Sequence, residues 1–147
     1  KDIDQMKLEL FSRDFTMNTL LESLDFGAIY DITGEGIADI QAGLIKCPVD
    51  PNITIGVDPR RILRAIRFSI KYGFKIDDSL KSAMKGHRKK IQDISVKLVQ
   101  DKMSEIVRID ADKGIDLLIE YKLLPLVPLT KTISDILIQK RKLLRGL

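Results

Sequence analysis

The chain has 147 residues, of which 44% are apolar and 5% aromatic, and this balance favours helices packed through leucine and isoleucine over an aromatic-rich β sandwich. With one cysteine and one histidine, it holds neither an internal disulfide nor a zinc site of clustered Cys and His. No apolar run approaches the roughly 20 residues that span a bilayer, so no membrane partner is expected.

The first part of the chain is predicted to mix short strands with helical turns. Residues 8–11 fit either a short strand or the end of a helix. Asp14 stands where an N-cap belongs, and apolar residues at helical spacing predict a helix over 15–24. The following elements are strands at 28–32 and 44–47, a helical turn at 37–41 and a loop with two prolines at 48–56.

Helices dominate after residue 57. Asp58-Pro59 predicts a helix start, because the carboxylate can cap the helix and proline suits its first position, and Gly73 is its expected stop. The predicted helices cover 59–72, 77–90, 96–107, 112–124 and 133–145. The fold class predicted from the sequence is therefore α+β, predominantly α.

Positive charge is concentrated in residues 58–147, which carry 21 Lys or Arg and 11 Asp or Glu, against four and ten in residues 1–57. This split indicates either a surface that faces a polyanion or a solvated lysine-rich surface. Arg61, Arg64 and Arg67 form a stripe along one flank of a helix whose other flank is apolar. Three guanidiniums repel one another unless an anion, such as a triphosphate or an RNA backbone, neutralises them.

Asp58 and Arg61 bring an acceptor and a planar donor fork to the first turn of the same helix. Held side by side, the two could pair with the edge of a nucleobase, which presents mixed donors and acceptors. The alternative is that Asp58 only caps the helix and Arg61 only bridges to a nearby acid. The residues alone leave both alternatives open.

Three blocks resemble those of one enzyme family. Residues 58–68, DPRRILRAIRF, are similar to the EDPxRxLRAxRF block of class II CCA-adding enzymes and bacterial poly(A) polymerases. Residues 12–19, SRDFTMNT, resemble the family's RRDFTxNA block, and residues 31–46 resemble its Gly-containing connector. The resemblance covers residues 9–76, with weaker similarity as far as residue 128, and it implies part of a template-independent RNA nucleotidyltransferase.

The resemblance implies a nucleotide-binding role for six matched residues: Arg13, Asp14, Asp58, Arg61, Arg64 and Arg67. The first would contact the incoming nucleotide and the second its ribose hydroxyl. Asp58 and Arg61 would act as a protein template that selects C or A by pairing-like hydrogen bonds, and the last two arginines would line the phosphate or base side. Asn18 would order the site, and the connector over 34–39 would let the pocket accommodate either base.

The chain departs from the family pattern at several positions. Ser12 replaces the first Arg of its block, and Val57 replaces the Glu that is expected to anchor a neighbouring arginine. The family's ISxERIxxEL block appears only as ISVKLVQDKM over 94–103, without its Glu-Arg pair. These departures indicate a divergent member and leave its nucleotide specificity open.

The family's reaction is an in-line attack of an RNA 3′ hydroxyl on the α-phosphate, assisted by two divalent metals, expected to be Mg²⁺, on two aspartates after a Gly-Ser turn. No such turn precedes Ser12. Asp2 and Asp4 have D-x-D spacing but lie too close to Arg13 for the family's gap, so they are interpreted as solvated charges. We expect no catalytic residue and no metal site here, and a catalytic segment that precedes Lys1 or forms a separate subunit.

A second group of basic residues, namely Lys85, Arg88, Lys89 and Lys90, is predicted to bind RNA phosphates and to add salt-dependent affinity. His87, between them, is interpreted as a solvated or RNA-facing residue and not as a catalytic base.

The predicted function is the nucleotide-selecting and RNA-binding part of an enzyme that adds C and A to tRNA 3′ ends from CTP and ATP. The alternatives are a poly(A) polymerase of the same superfamily and a non-catalytic RNA-binding helical module. The predicted domains are the end of a nucleotidyltransferase head (1–56), a helical neck (57–128) and the start of a helical body (129–147). The lone cysteine favours a reducing compartment, predicted to be the cytoplasm or an organelle matrix.

Overall fold

A computed structural model describes residues 3–146, so Asp2 of the D-x-D pair lies outside the described residues. The α-helices are α1 (Ile3–Phe11), α2 (Gly36–Ala42), α3 (Pro51–Val57), α4 (Arg60–Tyr72), α5 (Asp78–Gly86), α6 (Val96–Ile109), α7 (Ala111–Glu120) and α8 (Lys131–Arg145). Short 3-10 helices lie at Thr16–Asn18, Arg88–Asp93 and Leu124–Leu126. The predicted α+β, predominantly α fold class is confirmed. Within residues 3–146 no helix is long and apolar enough to cross a membrane.

The strands form two small sheets. An antiparallel hairpin joins β1 (Leu20–Glu22) to β2 (Ile29–Asp31), and a parallel pair joins β3 (Leu44–Ile45) to β4 (Lys75–Ile76). The sequence did not predict β4, because two residues carry too little pattern to separate a strand from a loop. In the chain β3 precedes α3 and β4 follows α4. The pairing of the two strands therefore holds the two ends of that helical segment together.

Helix α4 is the central element of the fold. The Asp58 carboxylate accepts a hydrogen bond from the Arg60 backbone N–H at 3.1 Å, and Gly73 ends the helix in the left-handed region with a φ of 70°. Ile62 and Ile66 on its inner face are fully buried. The predicted helix over 59–72 is therefore confirmed, apart from its first residue.

The helix predicted over 15–24 is wrong. Asp14 does act at a turn start, accepting from the Phe15 backbone N–H at 2.8 Å, but the turn is a 3-10 helix that ends at Asn18. The chain then enters β1, whose ladder with β2 replaces helical hydrogen bonds. Leu24, expected on an apolar helix face, is 102% exposed.

The loop predicted over 48–56 is also wrong, because α3 occupies most of it. Asp50 accepts from the Asn52 backbone N–H at 2.9 Å, and Pro51 stands at the first helical position. This is the same capping signal that predicted α4 from Asp58-Pro59. The two prolines predicted a loop because proline interrupts a helix, but Pro51 stands at a helix start, where proline is favoured.

A continuous apolar core runs from Phe15 to Ile133 and is built largely from α4, α6 and α7. Val99, Met103 and Ile106 of α6 are buried there. Apolar spacing does not ensure burial on these helices: Leu98 on α6 is half-buried, and Ile119 on α7 is exposed.

Gly36 at the start of α2 has no room for a side chain. A Cβ there would lie 2.8 Å from the Thr16 carbonyl oxygen and 2.9 Å from Leu20 Cδ2. Gly36→Ala should therefore lower the free energy of unfolding by about 1–3 kcal/mol in urea titrations. Gly86→Ala is the matched control, because a Cβ on that α5 glycine meets nothing within 4 Å. Equal stability of the two variants would contradict the close approach at Gly36.

Cys47, directly after β3, is buried and free. Burial raises the pKa of its thiol to about 11, because the thiolate loses its hydration. Since the thiolate is the reactive form, labelling by a disulfide reagent at pH 8 should be at least about 100-fold slower in the native chain than in urea. Rapid, complete labelling under native conditions would show that Cys47 is accessible.

Candidate functional site

A cavity of about 820 Å³ opens where the segment after α1 meets α4 and α6. All six residues predicted to bind the nucleotide line it, although they come from both ends of the segment 13–67. Asn18, Arg60 and Lys102 also line it, and apolar side chains of α4, of α6 and of the turn before α6 form the remaining wall. Its volume is in the range of small-molecule sites.

Asp14 is the most enclosed charge in the cavity, 6% exposed. Arg64 Nε of α4 donates to its Oδ2 at 2.5 Å, and Asn18 Nδ2 donates to its Oδ1 at 3.0 Å. The Asn18 bond is the contact that its predicted ordering role requires. Arg13 NH1 in turn donates to the Asn18 carbonyl oxygen at 2.7 Å. The contacts join the segment after α1 to the middle of α4.

Asp58 pairs with Arg60 and not with Arg61. Arg60 donates from Nε to Oδ1 at 2.8 Å and from NH2 to Oδ2 at 2.7 Å, a two-pronged contact. These hydrogen bonds lower the pKa of Asp58, so its carboxylate is an ionised acceptor at neutral pH. Sequence reasoning gave Arg60 no role, although its position two residues after Asp58 places it within reach.

The Arg61 guanidinium donates hydrogen bonds to two backbone carbonyl oxygens. NH1 donates to the Thr54 oxygen of α3 at 3.0 Å, and NH2 donates to the Ser12 oxygen after α1 at 2.9 Å. The sequence alternative in which Arg61 only bridges to an acid does not match this geometry. The fork is held in a fixed orientation on the cavity wall, together with Asp58.

Arg67 and Lys102 are the cavity cations with the weakest internal contacts. The Arg67 guanidinium lies 5.8 Å from the centre of the Phe68 ring, and no carboxylate of residues 3–146 lies within ion-pair distance of it. Lys102 on α6 contacts Glu105 at 3.6 Å, one turn away on the same helix. No sequence signal gave Lys102 a role.

Residues 1–46 match the family described as the poly A polymerase head domain. The CC-adding tRNA nucleotidyltransferase of Halalkalibacterium halodurans is 30% identical over 139 residues, which cover 94% of this chain. The Bacillus stearothermophilus CCA-adding enzyme in complex with CTP matches with a TM-score of 0.77 and 25% identity over 89% of this chain. The chain belongs to the family of poly(A) polymerase head domains and class II CCA-adding tRNA nucleotidyltransferases.

The resemblance of this chain to that family is thereby confirmed, and it extends to the Thermotoga maritima CCA-adding enzyme complexed with tRNA, with a TM-score of 0.69 and 26% identity over 80% of this chain. The chain spans about a third of these proteins: 36% of the H. halodurans enzyme, 33% of the B. stearothermophilus chain and 30% of the T. maritima chain.

Val57 lies at the base of α4, where the resemblance to the family leads one to expect a Glu. Its side chain is 74% exposed at the end of α3 and offers no acceptor to an arginine. The carbonyl oxygens of Thr54 and Ser12 hold Arg61 instead. Arg61 is therefore anchored without a Glu at position 57, by backbone groups that a side-chain substitution does not remove.

The second basic group lies away from the cavity. Arg88 NH1 donates to the Lys122 carbonyl oxygen at 2.9 Å, and Lys85 Nζ lies 5.8 Å from the centre of the Tyr121 ring. His87 Nε2 lies 3.2 Å from Asn52 Oδ1 of α3. None of the four predicted RNA contacts lines the cavity, and two of them support the turn after α7.

The divalent metal implied by the family does not fit the part of the chain that the structure describes. No group of three or more Asp, Glu, His or Cys side chains in residues 3–146 is arranged to hold one. The two carboxylates of the cavity, Asp14 and Asp58, are each bonded to an arginine. The cavity is thus suited to an anionic ligand and not to a bare cation.

Proposed function

We propose that the cavity selects the nucleotide for a template-independent RNA nucleotidyltransferase that adds C and A to tRNA 3′ ends, with CTP and ATP as substrates. The observation that carries the proposal is the presence of Asp58 and Arg61 on one wall of a cavity rich in arginine. The acceptor and the donor fork would recognise the base, and the surrounding cations would bind its phosphates.

The base chemistry explains why C and A would be chosen together. Cytosine and adenine both present an exocyclic amine beside a ring-nitrogen acceptor, whereas uracil and guanine present an oxygen beside an N–H. The ionised Asp58 accepts only, and Arg61 donates only. This pair therefore complements cytosine and adenine, and it would leave mismatched groups against uracil or guanine.

The charge of the cavity fits a triphosphate. Six cationic side chains line it, namely Arg13, Arg60, Arg61, Arg64, Arg67 and Lys102, against the carboxylates of Asp14 and Asp58. The excess of positive charge would be neutralised by the phosphates of a nucleotide or of an RNA end. Asp14, oriented by Asn18 and Arg64, would hold the ribose hydroxyl.

The relatives support this proposal through what their names state. One adds CC to tRNA, one is in complex with CTP, and one is complexed with tRNA. In the proposed reaction the RNA 3′ hydroxyl attacks the α-phosphate and pyrophosphate leaves. The carboxylates for Mg²⁺ would come from a preceding segment or a separate subunit, and Lys85, Arg88, Lys89 and Lys90 would contact RNA outside the cavity.

A poly(A) polymerase is the second candidate, because the family matched by residues 1–46 carries that name. Such an enzyme would select ATP alone at the same wall. The two candidates differ in whether CTP binds.

The test is base selectivity in the full-length protein. Wild type should bind CTP and ATP at least about tenfold more tightly than UTP and GTP. Asp58→Ala should lose this preference, and its affinity for triphosphates as a class should stay within a few-fold. Asp101→Ala is the control, because it removes an exposed acid of α6 that does not line the cavity. An unchanged preference in Asp58→Ala would refute the proposed template.

A further inference from the structure

Lys102 lies between two apolar residues on the face of α6 that lines the cavity. Leu98 lies one turn before it and Ile106 one turn after it, and all three side chains line the cavity. Residues four apart lie on the same helix face, so the Lys102 stem runs along an apolar wall, with its ammonium group free to reach the cavity. This wall faces the arginine stripe of α4, against which α6 packs.

The contacts of Lys102 leave its charge available. Its contact with Glu105 joins two side chains that are 46% and 42% exposed, at 3.6 Å. An exposed pair of this kind contributes little to stability, so exchanging it for a ligand costs little. By contrast, Arg60 and Arg64 are held by carboxylates, at 2.7 Å and 2.5 Å.

Arg67 offers a second positive charge on the opposite wall of the cavity. It is half-buried and lies beside the Phe68 ring, which restricts its motion without neutralising it. Among the described residues no carboxylate balances it within ion-pair distance. Two helices thus each present one available cation to the same space.

The sequence block over 94–103 departs from the family pattern at this same position. Aligned with ISxERIxxEL, the chain has Leu98 at the arginine of the pattern and Lys102 at its second glutamate. Positions 98 and 102 are one helical turn apart. Lys102 therefore lies on the same face of α6 as the arginine of the pattern would, one turn nearer the C-terminal end. The carboxylate that the pattern would place in the cavity is replaced by a positive charge.

We propose that Lys102 is a phosphate-binding residue of this site, and that with Arg67 it grips one phosphate group from opposite walls. The inference rests on the proposed function, because it assumes that the cavity takes a nucleotide or an RNA end. The phosphate belongs either to the triphosphate of the bound nucleotide or to the backbone of the RNA 3′ end. Lys102 would add affinity, and it would not choose the base.

The test compares Lys102→Glu, Lys102→Gln and Lys102→Arg with Lys97→Glu in the full-length protein. Lys97 is the matched control, because it is an exposed lysine of α6 that does not line the cavity. Each variant is titrated with CTP and, separately, with a short RNA that ends in CC. Thermal unfolding checks that every variant is folded.

Lys102→Glu should lower the affinity for one of these ligands at least about tenfold more than Lys97→Glu does. Lys102→Arg should retain most of the wild-type affinity. A loss confined to CTP assigns the phosphate to the nucleotide, and a loss confined to RNA assigns it to the RNA backbone. The preference of the protein for CTP and ATP over UTP and GTP should be unchanged.

Equal affinities of Lys102→Glu and Lys97→Glu for both ligands would overturn this inference and leave the template of Asp58 and Arg61 intact. A lost base preference in Lys102→Glu would also overturn it, because the residue would then act on the base. If wild type binds neither CTP nor RNA, the proposed function fails and the inference fails with it.

Discussion

Arg61→Ala should lower the affinity of the full-length protein for CTP at least about 100-fold and remove its preference for C and A. The substitution removes the donor fork that is proposed to recognise the base together with Asp58. It also breaks two hydrogen bonds, to the carbonyl oxygens of Thr54 and Ser12, that join α3 and the end of α1 to α4. Titration calorimetry with the four nucleoside triphosphates measures both effects.

Arg61→Lys separates the charge of this residue from its shape. Lysine keeps the positive charge but cannot donate to two carbonyl oxygens and a base from one planar group. We expect it to restore affinity for triphosphates in general and not the preference for C and A. If Arg61→Lys selects nucleotides as wild type does, the planar fork is not the selecting feature and Arg61 contributes only charge.

Arg64→Ala should lower the free energy of unfolding by about 2 kcal/mol in urea titrations. It leaves the nearly buried Asp14 carboxylate without its guanidinium partner, and breaking a buried pair costs about 3–5 kcal/mol. The expected value is smaller because the Arg64 side chain is 48% exposed and water can replace part of the contact. Asn18 and the Phe15 N–H still bind the carboxylate.

A double-mutant cycle gives the contact energy itself. Arg64→Ala and Asp14→Ala together should be less destabilising than the sum of the two single substitutions, by at least about 1 kcal/mol. The exposed pair of Lys140 and Asp116, at 2.7 Å, is the control and should couple by less than about 0.5 kcal/mol. Additive single substitutions at 14 and 64 would mean that the carboxylate and the guanidinium do not support each other.

Signals within one helix predicted the second half of the fold well. The start of α4 near Asp58 and its end at Gly73 follow from capping chemistry that acts within a few residues. The spacing of apolar residues, which is also a signal within one helix, predicted α6 and α7, although Ile119 of α7 faces solvent. Where the core decides burial, periodicity alone cannot say which of two neighbouring apolar residues points inward.

The first half was harder to predict, because contacts between distant residues determine it. Asp14 bonds to Arg64 across 50 positions, and β1 exists only through its ladder with β2. A local pattern could not distinguish that arrangement from a helix over 15–24. The start of α3 was predictable in principle, because Asp50-Pro51 carries the signal that was used at Asp58-Pro59.

For the candidate site, family motifs placed six residues, and all six line one cavity. The motifs did not predict the pairing within it, since Asp58 contacts Arg60 and the carbonyl oxygens hold Arg61. The motifs gave no role to Lys102, which also lines the cavity, because it stands where the family pattern has a different residue.

The most direct test of the proposed nucleotide selection is turnover by the full-length protein on a tRNA that lacks its CCA end. With all four nucleoside triphosphates present, wild type should add C and A and exclude U and G, as read by sequencing the products. Asp58→Ala should lose that exclusion and incorporate all four. If Asp58→Ala yields the same products at the same rate as wild type, Asp58 is not part of the template and the account of this cavity is wrong.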